Sequence, residues 1–266
     1  MLDDIVIIGS GNVAWHLAEC IVFAGYNVKQ VYGRNTNDKT YFSHLDIGAY
    51  ISDIKELDPH VDMYLFCVND DAILEVVDSI PFQLSDNQIL VHTSGATPST
   101  ILSPYSANFG CLWPLQSLKR ETPVVTNEIP FVITASNEYV KLGLLELADQ
   151  ISNDFTWIDD TRKEKLHLAA VLVNNFANHL YRLTYDYCEQ EDIKFDLLIP
   201  LIKETAEKLT IDIPENNQTG PAIRNDDLTI MRHLTKLEKH PDLYKLYCFF
   251  SENIIKKYGR ISFIRS

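Results

Sequence analysis

The segment Gly9–Ala14 follows the apolar run Asp4–Ile8 and opens an amphipathic stretch. A dinucleotide site needs a tight turn, a glycine where the backbone approaches the pyrophosphate, and a small residue where helix and strand pack. Gly9, Gly11 and Ala14 stand at these three positions in that order. The pyrophosphate would bind the free N–H groups at the start of the helix. The alternative is a tight turn with no ligand. The residues predicted to bind the cofactor here are Gly9, Ser10, Gly11, Asn12, Val13 and Ala14.

Arg34 stands just after the second apolar run, Asn27–Tyr32, where dinucleotide-binding domains read the adenosine ribose. Enzymes that use NAD place Asp or Glu there, whereas this chain has Arg34 followed by Asn35 and Thr36. A guanidinium binds a phosphate through two hydrogen bonds, and the neutral side chains add donors. The sequence therefore predicts NADP(H) in preference to NAD(H). A solvated Arg34 without a ligand is the alternative.

Two further loops follow predicted strands and would meet at the same edge of a parallel sheet. Val68 and Asn69 are predicted to contact the nicotinamide ribose, with Asp70 as the cap of a helix that begins near Ala72. His92 and Ser94 bring an imidazole and a hydroxyl to the same rim. Their alternative role is to satisfy the backbone of a turn.

A polar seam is predicted along the helix Lys163–Glu189. At 100° per residue, His167, Asn174 and Asn178 lie within about 40° of one another, among apolar residues. Buried polar groups must be hydrogen-bonded, so the seam would face a ligand, water or another helix. Lys165 points about 160° away from His167. His167 is the first candidate proton donor and His92 the second, and Asn174 would hold the reacting atom.

Arg224 lies in the polar loop Thr219–Asp226, where Asp226 is placed to cap the next helix. A guanidinium there could bind a substrate carboxylate through a bidentate pair, with Ser94 and Asn178 as further substrate contacts. Pairing with an acidic neighbour is the alternative, because the chain is strongly acidic.

Composition narrows the class of protein. The 266 residues carry a formal net charge of -14, which disfavours nucleic acid and anionic membranes as partners. Five separated cysteines without a CxxC pair favour reduced thiols and no metal site. The first apolar run is too short for a signal or membrane segment. We expect a cytoplasmic protein that binds a small-molecule substrate.

The pattern of elements changes once along the chain. Short apolar runs alternate with helical stretches up to about residue 159, and only helical periodicity follows. This predicts an α/β fold with two domains: residues 1–159, with a doubly wound, mostly parallel Rossmann sheet, and residues 160–266, all helical. The predicted strands are Asp4–Ile8, Asn27–Tyr32, Met63–Val68, Gln88–His92, Phe109–Trp113, Pro130–Ala135 and Phe155–Ile158. The predicted helices are Val13–Ala24, Glu138–Ile151, Lys163–Glu189, Phe195–Lys208, Asp226–Lys239 and Asp242–Tyr258.

These segments together resemble the Rossmann-like oxidoreductases with a C-terminal helical domain of the DUF2520 type. That group is distantly similar to pyrroline-5-carboxylate reductase, 6-phosphogluconate dehydrogenase and the coenzyme F420-dependent NADP oxidoreductases. The resemblance rests on Gly9–Ala14, His92–Gly95, Gly110–Gln116, His167–Asn175 and the loop containing Thr219–Pro221, Arg224 and Asp226. It implies an NADP-linked fold and a homodimer formed through the helical domain.

The chain departs from that group at one position. Trp113-Pro114 stands where the group often has His-Pro. Two functional classes therefore stay open. One is an enzyme that transfers hydride between the nicotinamide and a C=O or C=N carbon of a small, anionic metabolite. The other is an NADP(H)-binding sensor or assembly protein without turnover, which the missing histidine favours.

Overall fold

The computed structural model describes residues 2–122 and 124–258. The chain divides into two compact units, the first ending at Val171 and the second beginning at Leu172.

The first unit is built on one eight-stranded sheet with the order β3-β2-β1-β4-β5-β6-β7-β8. All neighbouring strands are parallel except β6 and β7, which pair antiparallel. The predicted doubly wound, mostly parallel α/β fold is confirmed. The strands are β1 (Asp4–Ile8), β2 (Asn27–Tyr32), β3 (Ala49–Ile51), β4 (Met63–Phe66), β5 (Ile89–His92), β6 (Phe109–Pro114), β7 (Phe131–Ala135) and β8 (Phe155–Trp157).

The central strands are apolar throughout because both faces of the sheet are covered. Ile5 and Ile7 point into one core, which contains residues of α1 (Asn12–Phe23) and α3 (Glu138–Ile151). Val6 and Ile8 point into the other core, which contains residues of α2 (Ile73–Asp78). Alternate residues of β1 therefore pack in two different cores, one on each face of the sheet.

Helix α1 ends as the sequence predicts. Ala24 is its C-cap, and Gly25 follows with φ +87°, a left-handed conformation that glycine adopts without strain. The chain then enters β2, which pairs in parallel with β1 and completes a strand–helix–strand unit.

Two predictions in this unit were incomplete or wrong. Strand β3 was not predicted; of its three residues only Ile51 is buried, so the segment lacks an apolar run. Asp70 does not cap the following helix: the chain first makes a 3₁₀ turn over Asp70–Ala72, and Asn69 occupies its N-cap position. Asp70 therefore lies inside the turn rather than before it.

The long helical segment begins earlier than predicted. Helix α4 (Asp160–Ala170) starts beyond Asp159, whose side chain accepts a hydrogen bond from the Arg162 N–H at 2.8 Å. Its first turn lies outside the predicted range Lys163–Glu189. A π-helical turn, Val171–Phe176, then leads into α5 (Ala177–Gln190).

The second unit is helical. Beyond α5 it contains α6 (Ile199–Glu207), flanked by short 3₁₀ turns, α7 (Asp227–Lys236) and α8 (Pro241–Tyr258). Asp226 caps α7 by accepting from the Thr229 N–H at 3.1 Å, as predicted. Among the described residues, none of the helices combines the length and apolar character needed to cross a membrane.

Candidate active site

The glycine-rich turn joins β1 to α1 and is fixed by a close backbone approach. Gly9 has φ +127°, and a Cβ at that position would lie 2.3 Å from the Cys67 carbonyl oxygen. Its N–H donates to the Tyr32 carbonyl at 2.8 Å. A Cβ on Gly11, by contrast, would meet no atom within 4 Å among the described residues. The turn thus packs tightly on its sheet side and is open at the N-terminus of α1, a shape that fits a pyrophosphate.

Arg34 follows β2 and is exposed, as are Asn35 and Thr36. Within the described residues Arg34 makes no ion pair. Asn35 caps the 3₁₀ segment Thr36–Phe42, its side-chain oxygen accepting from the Asn37 N–H at 3.1 Å. The predicted residues of the 2′-phosphate site thus adjoin each other on a defined loop.

Two charged residues that the sequence did not single out contact the same turn. The Ser10 hydroxyl donates to Asp38 at 2.7 Å. The Arg120 guanidinium donates to the Ser10 carbonyl at 3.2 Å, from a loop beyond β6. Neither contact has a signal in the local sequence, because the partners are 28 and 110 residues apart.

The parallel register brings the predicted rim residues to one edge of the sheet. Ile8 pairs with Phe66, and Phe66 pairs with His92, so the ends of β1, β4 and β5 lie side by side. Val68, half-buried, and Asn69, exposed, follow the end of β4. Because β4 lies between β1 and β5, the loop that carries Val68 and Asn69 begins between the glycine-rich turn and His92.

His92 is fully buried at the end of β5. Its Nδ1 accepts a hydrogen bond from the Ser94 N–H at 3.1 Å, and its Nε2 is buried. Burial first, and the nearby Lys163 ammonium second, lower the pKa of His92 to about 4, against the opposing effect of the Pro98 carbonyl. His92 is therefore neutral at physiological pH, which disfavours it as a proton donor there.

The Lys163 ammonium is the charge that lowers the pKa of His92 most, after burial. Its position has no signal in the local sequence. The side chain is 1% exposed and donates to the carbonyls of Ser94 and Thr97. It also lies 3.3 Å from Asp160. Lys165 is exposed.

Asp160 in turn holds the segment that follows the Ser94 loop. Its carboxylate accepts from the Ser99 N–H at 2.9 Å and from the Ser99 hydroxyl at 2.7 Å. Burial would raise the pKa of Asp160, but the Ser99 hydrogen bonds and the Lys163 charge outweigh it and hold the pKa below its usual value. The first turn of α4 is therefore bound to the loop beyond β5.

His167 lies against the residue that replaces the group's histidine. The ring centroids of His167 and Trp113 are 5.5 Å apart in an edge-to-face arrangement. The indole occupies space that a side chain at position 95 would fill, since a Cβ on Gly95 would lie 2.4 Å from it. His167 Nδ1 is buried without a hydrogen-bond partner among the described residues. An imidazole with an unsatisfied nitrogen thus lies close to the end of β6.

The remaining predicted residues belong to the second unit. Asn174, Asn178 and Arg224 are all exposed. The predicted seam assumed 100° per residue, but the π-helical turn over Val171–Phe176 has more residues per turn and shifts the face on which Asn174 lies. Two of the apolar residues around this seam are exposed, Val173 at 76% and Phe176 at 60%.

Comparison with known families agrees with this geometry. The sequence model of the coenzyme F420-dependent NADP oxidoreductases matches residues 4–95, which contain the glycine-rich turn and the strand ends. The domain of unknown function DUF2520 matches residues 129–254. No curated protein matches the chain.

Solved structures extend the similarity over nearly the whole chain. A Bacteroides fragilis protein described as an NADP oxidoreductase is 33% identical, with 96% of this chain and 98% of that chain covered and a TM-score of 0.86. A Thermotoga maritima protein is 22% identical, with 95% and 97% covered and a TM-score of 0.74. An imine reductase of Myxococcus stipitatus in complex with NADP+ is 12% identical, with 96% of each chain covered and a TM-score of 0.71.

The last two similarities show a shared fold, whereas the first shows the family. NADP is the cofactor of that family. The chain therefore belongs to the Rossmann-type NADP-dependent oxidoreductases that carry a C-terminal DUF2520 region.

Proposed function

We propose that NADP(H) binds along the edge of the sheet at which β1, β2 and β4 end. The Gly9–Ala14 turn would hold the pyrophosphate, because it is open at Gly11 and begins a twelve-residue helix without an acidic residue in its first turn. The exposed Arg34 guanidinium, with Asn35 and Thr36, would bind the adenosine 2′-phosphate. Val68 and Asn69 would contact the nicotinamide ribose.

We infer that the reaction is hydride transfer to or from a C=O or C=N carbon of a small, anionic metabolite. When bound, the nicotinamide supplies or accepts the hydride. The observation that carries the proposal is His167, whose imidazole lies against Trp113 with an unsatisfied Nδ1. The imine reductase that shares the fold supports the C=N alternative.

In this proposal, His167 gives or takes the proton at the substrate heteroatom. His92 stays neutral and would contribute hydrogen bonding rather than charge, because its pKa is lowered to about 4. Ser94 would orient the substrate from the loop that Lys163 holds. We assign Asn174 to the reacting atom and Asn178 and Arg224 to substrate binding, as proposals from their residue types.

The experiment is oxidation of NADPH by a panel of small 2-oxo acids, ketones and cyclic imines, followed by absorbance. We expect turnover with at least one class, and a loss of about a hundredfold in kcat for His167→Ala with KM for NADPH unchanged. His60→Ala is the matched control, since His60 is exposed and precedes β4 at the opposite end of that strand.

Two outcomes would contradict the proposal in different ways. Full turnover by His167→Ala would remove the proton-transfer role of His167 and leave the hydride-transfer reaction in place. Tight NADPH binding without single-turnover oxidation by any member of the panel would instead favour the sensor or assembly protein.

We also propose a homodimer formed through the second unit. Large apolar side chains are exposed on several of its helices, including Leu197 at 72%, Leu228 at 78% and Met231 at 61%. Exposed apolar surface of this kind is typical of protein–protein interfaces.

A further inference from the structure

Ser10 stands between the two glycines of the turn, and two opposite charges contact it. Its hydroxyl donates to Asp38 Oδ2 at 2.7 Å. Its carbonyl accepts from Arg120 Nη1 at 3.2 Å. The residue at the centre of the proposed cofactor turn is thus bonded to a carboxylate on one side and to a guanidinium on the other.

Asp38 already occupies hydrogen-bond donors that a phosphate would use. Its second carboxylate oxygen, Oδ1, accepts from the Asn35 side chain at 3.1 Å. Ser10 and Asn35 are both among the residues proposed to bind the cofactor. A carboxylate satisfied by these two donors takes the place of an anionic ligand, and it would repel a second negative charge there.

A carboxylate at this position also suits NAD(H). In NAD-binding domains an acid near the end of the second strand accepts a hydrogen bond from the ribose 2′-hydroxyl. Here no acid directly follows β2, but the 3₁₀ segment Thr36–Phe42 turns Asp38 back to Ser10. Asp38 is therefore placed to favour a 2′-hydroxyl over a 2′-phosphate.

Arg120 provides the opposing charge. Its guanidinium lies 3.8 Å above the Tyr41 ring, a cation–π contact with the same 3₁₀ segment that carries Asp38. Its backbone N–H donates to the Asn12 side chain at 3.4 Å. Its Nε is buried without a partner among the residues described, so the guanidinium retains an unsatisfied donor beside the turn.

We propose that Asp38 and Arg120 set cofactor selectivity in opposite directions. Asp38 competes with the adenosine 2′-phosphate for Ser10 and Asn35 and so limits the preference for NADP(H) over NAD(H). Arg120 joins Arg34 as a second guanidinium at the 2′-phosphate and increases that preference. The inference rests on the proposed cofactor site at the turn.

The test is the ratio of the dissociation constants for NADP+ and NAD+, measured by calorimetric titration of the full chain. Asp38→Asn keeps the size of the side chain and removes its charge. We expect NADP+ to bind about tenfold more tightly, with NAD+ unchanged or weaker. Asp46→Asn removes the same charge from an exposed position beyond the 3₁₀ segment and should leave the ratio within about twofold.

Arg120→Gln gives the second arm, with Lys119→Gln as its neighbour control. We expect Arg120→Gln to weaken NADP+ about tenfold and NAD+ much less, while Lys119→Gln, which alters an exposed side chain, changes neither. Thermal unfolding of each variant without ligand confirms that it folds.

An unchanged ratio in Asp38→Asn, with wild-type protein that binds NADP+, would overturn the role of Asp38 and leave the cofactor site standing. Equal weakening of both dinucleotides by Arg120→Gln would assign Arg120 to the shared pyrophosphate and overturn its role in selectivity. Wild-type protein that binds neither dinucleotide would overturn the cofactor site and this inference together.

Discussion

The protonation of His92 is decided by its surroundings rather than by its residue type. A buried imidazole beside the Lys163 ammonium loses the free energy that hydration gives its charged form, and its pKa falls from 6.5 to about 4. Between these two values the unfolded chain binds a proton that the folded chain does not. Lowering the pH through this window therefore favours unfolding.

We predict that His92 lowers the free energy of unfolding by about 3 kcal/mol as the pH falls from 6.5 to about 4. The measurement is urea denaturation across this pH range, for wild type and His92→Gln. His92→Gln should be less stable than wild type at pH 7 and should lose less stability on acidification. A wild-type slope in His92→Gln would contradict the assigned pKa, and His60→Gln, altered at an exposed histidine, should keep that slope.

At the scale of single residues, the sequence pointed to those candidate site residues that directly follow a predicted strand. The Gly9–Ala14 turn and Arg34 are recognisable because each lies at a fixed distance from a strand. Asp38, Arg120 and Lys163 were not found, because their partners come from loops between 28 and 110 residues away, with 69 between Lys163 and Ser94. No spacing rule reports that a lysine on a helix will be enclosed by a distant loop.

At the scale of elements, the start of α4 and the loop beyond β5 stabilise each other. Lys163 contributes one buried ammonium to the Ser94 and Thr97 carbonyls and to Asp160. Removing the buried ammonium leaves two loop carbonyls and the partly exposed Asp160 without that partner, which is more costly than the loss of a surface pair.

Lys163→Met, which keeps the apolar length of the side chain, should therefore lower the free energy of unfolding by about 3–5 kcal/mol. Lys165→Met, two residues along on an exposed face, should change it by less than about 0.5 kcal/mol. Chemical denaturation of the two variants measures the difference. A loss of under 1 kcal/mol in Lys163→Met would show that the loop does not depend on the ammonium.

The order of the elements was largely predictable, and the exceptions have physical causes. Strands buried on both faces are continuous apolar runs, so the strands at the centre of the sheet were found, whereas the short edge strand β3 was not. Helical periodicity identified the segment that follows β8 but could not show its π-helical turn, because a change in residues per turn leaves no mark on composition. The predicted angle at Asn174 assumed a regular α-helix, whereas Asn174 lies in the π-helical turn.

At the scale of the whole molecule, the exposed apolar helices of the second unit predict self-association. Leu228 and Met231 are three residues apart on α7 and so share one face. The double variant Leu228→Lys with Met231→Lys should convert a dimer to a monomer in sedimentation experiments, because charges are costly in a buried interface. Phe23→Lys, at a residue 72% exposed at the end of α1, should remain dimeric. A wild-type monomer at micromolar concentration would contradict the proposal.

The central claim is that the turn and Arg34 bind NADP(H) in preference to NAD(H), and ligand-dependent thermal unfolding tests it most directly. A ligand at a hundred times its dissociation constant stabilises the folded state by about 2.7 kcal/mol. At equal concentrations, NADP+ should raise the melting temperature of the wild-type protein clearly more than NAD+ does. Arg34→Gln should reduce this difference severalfold, whereas Lys55→Gln, at another exposed cation, should preserve it. Equal shifts with both dinucleotides, or a larger shift with NAD+, would contradict the account.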